Sequence, residues 1–108
     1  MVVGILRVTL SIPAADSLKG KRHVLRKVVD RVKARFNVSI AEVGENDIWQ
    51  RAVVGISAVG NDRRFVNEAL DKVLHFIEEM YVAPVISHDL EIQSFGEDLY
   101  GGPGVKDL

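Results

Sequence analysis

Cysteine is absent from the chain, which excludes disulfides, thiolate zinc sites, iron–sulfur clusters and thiol catalysis. That absence fits a reducing compartment. Proline is scarce, with Pro13 and Pro84 the only two before residue 100. Aromatic residues make up 6% of the chain, and Trp49 is the single tryptophan. No apolar run approaches the roughly 20 residues a membrane-spanning helix needs. The apolar start, Met1 to Ile12, is interrupted by Arg7, Thr9 and Ser11, and it lacks a basic leader and a small-residue cleavage site. The expectation is a soluble, cytoplasmic protein without a membrane partner.

What is present is ordinary globular composition. Of the 108 residues, 47% are hydrophobic and 27% charged, which suits one domain with one core. Residues 1–96 are expected to form it, and residues 97–108, dense in Gly and Pro, to be a flexible tail. The net charge is −1, but its distribution is lopsided. Lys19, Lys21, Arg22, Arg26, Lys27, Arg31, Lys33 and Arg35 face only Asp30 within their stretch, and the remainder of the chain is acidic. Such a separation places a positive field on a nearly neutral protein.

Periodicity supplies the elements. Leu6, Val8, Leu10 and Ile12 alternate with Arg7, Thr9 and Ser11, the period of a half-buried strand from Val2 to Ile12. Ser17 is a helix N-cap candidate, and Val24, Leu25, Val28, Val29, Val32 and Phe36 form one stripe of a helix over 18–36. Gly20 weakens its first turn. Strands over 38–43 and 50–59 flank the turn Gly44-Glu45-Asn46-Asp47. A second helix over 63–82 carries a clean apolar stripe, and Pro84 precedes a last strand over 85–95, with Leu90 and Ile92 facing inward. The order βαββαβ predicts an α+β ferredoxin-like plait: a four-stranded antiparallel sheet with both helices on one face.

Three blocks carry a family resemblance: Ser17-Leu18-Lys19-Gly20-Lys21-Arg22, Arg35-Phe36-Asn37-Val38-Ser39-Ile40-Ala41-Glu42-Val43, and Asp47-Ile48-Trp49-Gln50-Arg51-Ala52. In this order and spacing the chain resembles the YlxP-like family of uncharacterised bacterial proteins over about residues 1–95. The resemblance implies the same fold. Through the translation and ribosome-maturation genes that often neighbour such proteins, it also implies a role near RNA or the ribosome. It brings no catalytic residues. Where this chain has Gly20, similar proteins often carry Glu, which would complete a capping box with Ser17.

The basic helix is the main candidate site. Phosphate binding needs several cations on one surface, and Lys19, Lys21, Arg22, Arg26 and Lys33 supply them. The plainer alternative is a solvated helix face. Trp49, Gln50 and Arg51 are candidate secondary contacts, since an exposed Trp beside Arg stacks bases or anchors a partner. The alternative there is that Trp49 packs on the sheet and Arg51 pairs with a Glu. The outer sheet face, with Arg7, Thr9, Gly55 and Ser57 beside Asp89 and Glu91, lacks the aromatic platforms of an RNA-recognition motif and suits a homodimer contact better.

Enzyme readings find no support. His23, His75 and His88 lack metal-ligand spacing, so no metal or cofactor is expected. Gly101 to Lys106 resembles a phosphate loop superficially, but no Ser or Thr follows the Lys. Acylphosphatases share the fold but need an Arg in a glycine-rich first loop, and the first loop here is Pro13 to Ser17. The expected function is a non-catalytic binding module for RNA or a ribosomal particle. The alternative is a homodimeric protein-interaction domain with no nucleic acid.

Overall fold

The computed structural model describes residues 1–96; the expected tail and the Gly101–Lys106 segment lie outside the described residues. The elements are β1 (Val2–Ser11), α1 (Leu18–Arg35), β2 (Ser39–Gly44), β3 (Arg51–Gly60), α2 (Arg63–Glu79) and β4 (Val85–Ser94). They form one antiparallel sheet in the order β2-β3-β1-β4, the ferredoxin-like plait expected from the order of elements.

The alternation in β1 becomes layering. Val2, Leu6, Val8 and Leu10 are buried, and so are Ala52, Val54, Ile56 and Ala58 of β3, which pair with β1 along its whole length. Leu25, Val28 and Val32 of α1 and Val66, Leu70, Val73 and Ile77 of α2 close the core from above. Gly4 permits the close seat of α2. A Cβ at that position would lie 2.5 Å from both Leu70 Cδ1 and Val66 Cγ1, inside van der Waals contact. Where the helices meet, Phe36 and Phe76 pack edge to face with centroids 5.3 Å apart.

The caps are local. The Ser17 hydroxyl accepts from the Gly20 amide at 3.0 Å, and the Asp62 carboxylate accepts from the Arg64 amide at 3.1 Å. The second helix stops at Glu79, short of the expected residue 82, because Tyr81 takes a left-handed backbone with φ 54°. β4 is the second departure. Leu90 does share the inward side with Leu6, its partner in β1, yet it is 37% exposed because α2 covers β4 less fully than it covers β1 and β3. Most of β4 is exposed on both sides, and a bulge interrupts its pairing at Ile86.

Candidate nucleic-acid interface

The basic residues of α1 separate into two sets, and helical geometry decides which residue joins which. Lys19, Arg22, Arg26 and Lys33 recur at intervals of three, four and seven, so they share one face with His23. All of them are exposed. Lys19, Arg22, His23 and Arg26 line one shallow groove. From Lys19 to Lys33 the row spans about 21 Å of helix at 1.5 Å per residue. Among the described residues none of its cations enters an ion pair.

Lys21 departs from the expected set. It is 1% exposed and cannot offer its charge to a phosphate in solution. It lies four residues before Leu25 and seven before Val28, so the helix turns it onto the buried stripe. Its ammonium donates to the Glu45 carbonyl at 2.6 Å and lies 2.9 Å from Glu42 Oε2, an ion contact without hydrogen-bond alignment. That spacing to Leu25 and Val28 is visible in the sequence, and it marks Lys21 as a core position. The residue type hid it, because lysine is rarely fully buried unless paired.

Lys21 fastens the β2–β3 loop to the start of α1, and Glu45 is the centre of that loop. Its carbonyl accepts from Lys21 and from the Ile48 amide at 3.1 Å. Its backbone is left-handed with φ 54°, a conformation that disfavours non-glycine residues. Its carboxylate grips the Arg51 guanidinium through two donors, Nε and Nη2. That hydrogen-bonded ion pair holds the Glu45 carboxyl below its ordinary value and raises the Arg51 guanidinium.

The three expected secondary contacts therefore part company. Arg51 is committed to Glu45. Gln50 is committed twice: its side-chain amide donates to the Ala15 carbonyl at 2.9 Å, and its own carbonyl accepts from the Ile12 amide at 2.7 Å. Both hold loops together, so neither is a ready outside contact. Trp49 is left, 43% exposed, on the loop that Lys21 and Gln50 tie to the N-terminal end of α1.

On the outer sheet face, Arg7 and Asp89 pair at 2.6 Å across β1 and β4, and no aromatic ring stands on the two central strands. No helix of the described residues is long and apolar enough to cross a membrane.

Known proteins resemble this chain at two levels. "Uncharacterized protein YlxP" of Bacillus subtilis (strain 168) is 48% identical over 64 residues, which cover 59% of this chain and 70% of that protein. Two solved structures resemble its shape distantly. One is LarC2, the C-terminal domain of a cyclometallase involved in the synthesis of the NPN cofactor of lactate racemase (TM-score 0.46, 14% identity, 86% of this chain). The other is a C-terminal segment of the alpha subunit of aIF2 from Pyrococcus abyssi (TM-score 0.43, 13% identity, 85% of this chain). The chain spans about half the length of each, 55% and 48% respectively. The model of the family described as "Protein of unknown function (DUF503)" matches residues 3–90, and the chain belongs to that family.

Proposed function

We propose that this domain is a non-catalytic module that docks on RNA phosphates, such as those of a ribosomal particle, through the exposed face of α1. The observation that supports this is the row Lys19, Arg22, Arg26 and Lys33, exposed and in no ion pair among the described residues, with Asp30 the one acidic residue of α1 and on the same face. Cations held along one rigid helix face neutralise successive phosphates, and the released counter-ions drive binding. Trp49 adds a ring for one base or side chain at the end of the row. Recognition of this kind reads the backbone and not the base sequence.

The test is co-sedimentation with ribosomal particles over a salt series, using Lys19→Glu/Arg22→Glu. Lys21 is unsuitable for charge reversal because its substitution disturbs the fold. Binding should weaken steeply with salt and fall about tenfold or more in the double variant. Equal sedimentation of both proteins would overturn the reading.

One observation favours self-association as a second reading. β4 is a sheet edge exposed on both sides, and Ile86 and Leu90 stand open on it. Edges of this kind pair with another strand. Sedimentation velocity at micromolar concentration should then show a dimer that Leu90→Lys dissociates, and a strict monomer would remove this reading.

A further inference from the structure

A shallow cavity of about 380 Å³ lies between the C-terminal end of α1 and the second half of α2. Its floor is apolar, made by Phe36, Phe76 and Met80. Its rim is polar. The Arg35 guanidinium stands 5.0 Å from the centroid of the Phe76 ring and 6.0 Å from that of Phe36. Lys72 and His75 stand one turn apart on α2, and Glu79 follows one turn later. Among the described residues, neither Arg35 nor Lys72 has a carboxylate within ion-pair distance, Glu79 included. A cation at a helix C-terminus explains Arg35 in part, since it complements the helix dipole. Glu68, one turn before Lys72 in α2, pairs with Arg64 instead.

The combination is selective about what it would suit. An inorganic anion satisfies the cations and leaves the aromatic floor unused. A neutral apolar molecule covers the floor and buries the cations unmatched, at a cost. A phosphate joined to a planar ring meets both. Arg35, Lys72 and His75 supply charge-assisted or neutral N–H donors for phosphate oxygens. The Arg35 guanidinium plane, which lies over both rings, supplies a stacking surface for a base. The Glu79 carboxylate is an acceptor for a ribose hydroxyl. The volume falls in the range of roughly 300–1,000 Å³ typical of small-molecule sites.

We propose that this cavity binds a nucleoside monophosphate unit, either free or as the terminal nucleotide of an RNA strand. The site is distinct from the phosphate-docking row, because Lys19, Arg22, Arg26 and Lys33 line none of it. Its test therefore does not depend on that reading.

The experiment is an NMR and calorimetric titration of the full 108-residue protein with AMP, GMP, CMP and UMP. Adenosine, inorganic phosphate and a 5′-phosphorylated tetraribonucleotide are run alongside. At least one nucleotide should shift the Phe36, Phe76 and His75 ring signals saturably, with adenosine and phosphate each at least about tenfold weaker. Lys72→Glu should lose about tenfold or more in affinity with an unchanged melting temperature, and Lys19→Glu/Arg22→Glu should bind the mononucleotide as the natural protein does. Tighter binding of the tetranucleotide than of any mononucleotide to Lys19→Glu/Arg22→Glu, read at the Phe36, Phe76 and His75 rings, supports an RNA end as the source, and the reverse order supports a free nucleotide. The proposal is overturned if no nucleotide or oligonucleotide gives a saturable shift at millimolar concentration, if phosphate alone binds as well as AMP, or if Lys72→Glu changes nothing.

Discussion

The Lys21 ammonium donates to the main-chain carbonyl of Glu45 at 2.6 Å, joining the buried stripe of α1 to a left-handed residue of the β2–β3 loop. A charge expected at the surface is thereby spent inside the protein, and a loop gains an anchor. Because Lys21 is buried and Glu42 largely so, removing one partner leaves the other desolvated and unmatched.

Lys21→Ala should accordingly destabilise the fold by about 2–4 kcal/mol, read as a lower urea midpoint at constant slope. Lys21→Met/Glu42→Met should recover most of that loss, because both charges leave together. Stability unchanged in Lys21→Ala would mean that the ammonium reaches water.

The Glu45–Arg51 pair predicts an acid-sensitive loop. Pairing lowers the Glu45 carboxyl from its ordinary value of 4.5, so the folded state binds that proton less readily than the unfolded chain. The contribution is complete above about 4.5 and is lost as pH falls through the lower folded value. Trp49, the single tryptophan, sits two residues from Arg51 and reports the change. Its fluorescence should shift as pH falls below about 4.5, before global unfolding by circular dichroism. Glu45→Gln should abolish that early shift.

Two glycines should respond in opposite directions. Gly4→Ala places a methyl 2.5 Å from Leu70 and Val66 atoms and should cost about 1–3 kcal/mol by overpacking. At Gly20 an added Cβ meets only Ser17 Oγ at 3.4 Å and Asp16 Oδ1 at 3.8 Å. Gly20→Ala should then stabilise by about 0.5–1 kcal/mol. Gly20→Glu should do at least as well, since a Glu at this third helical position can complete the capping box that Ser17 begins. Thermal melts of the three variants check the contrast.

Tyr81 is 88% exposed and holds φ 54° just after the end of α2. Glycine takes that conformation without a Cβ clash, so Tyr81→Gly should raise stability by about 0.5–1 kcal/mol. A fall in melting temperature would show that the ring makes a contact worth more than the backbone relief.

Much of this molecule was legible as period. Alternation placed β1 and β3 to within a residue, and the 3.6-residue stripe placed both helices, because those patterns record which side of each element faces the core. The basic face of α1 was legible for the same reason, except at Lys21. There the spacing pointed inward and the residue type pointed outward. Leu90 erred the other way: its side of the strand was right, but only the position of the helix layer tells how much of that side is covered.

The order of elements, the single layer of helices and the charge of α1 follow from local spacing and composition. Tertiary structure decided what local spacing cannot carry. It chose Glu42 and Glu45 as partners for Lys21, turned Gln50 and Arg51 into loop fasteners, and brought Arg35 and Phe36 against Phe76. Each of those contacts joins residues from different elements or across a turn. Whether a side chain is buried, paired or open depends on the neighbours that chain folding brings within a few ångströms, and those neighbours are mostly remote in sequence.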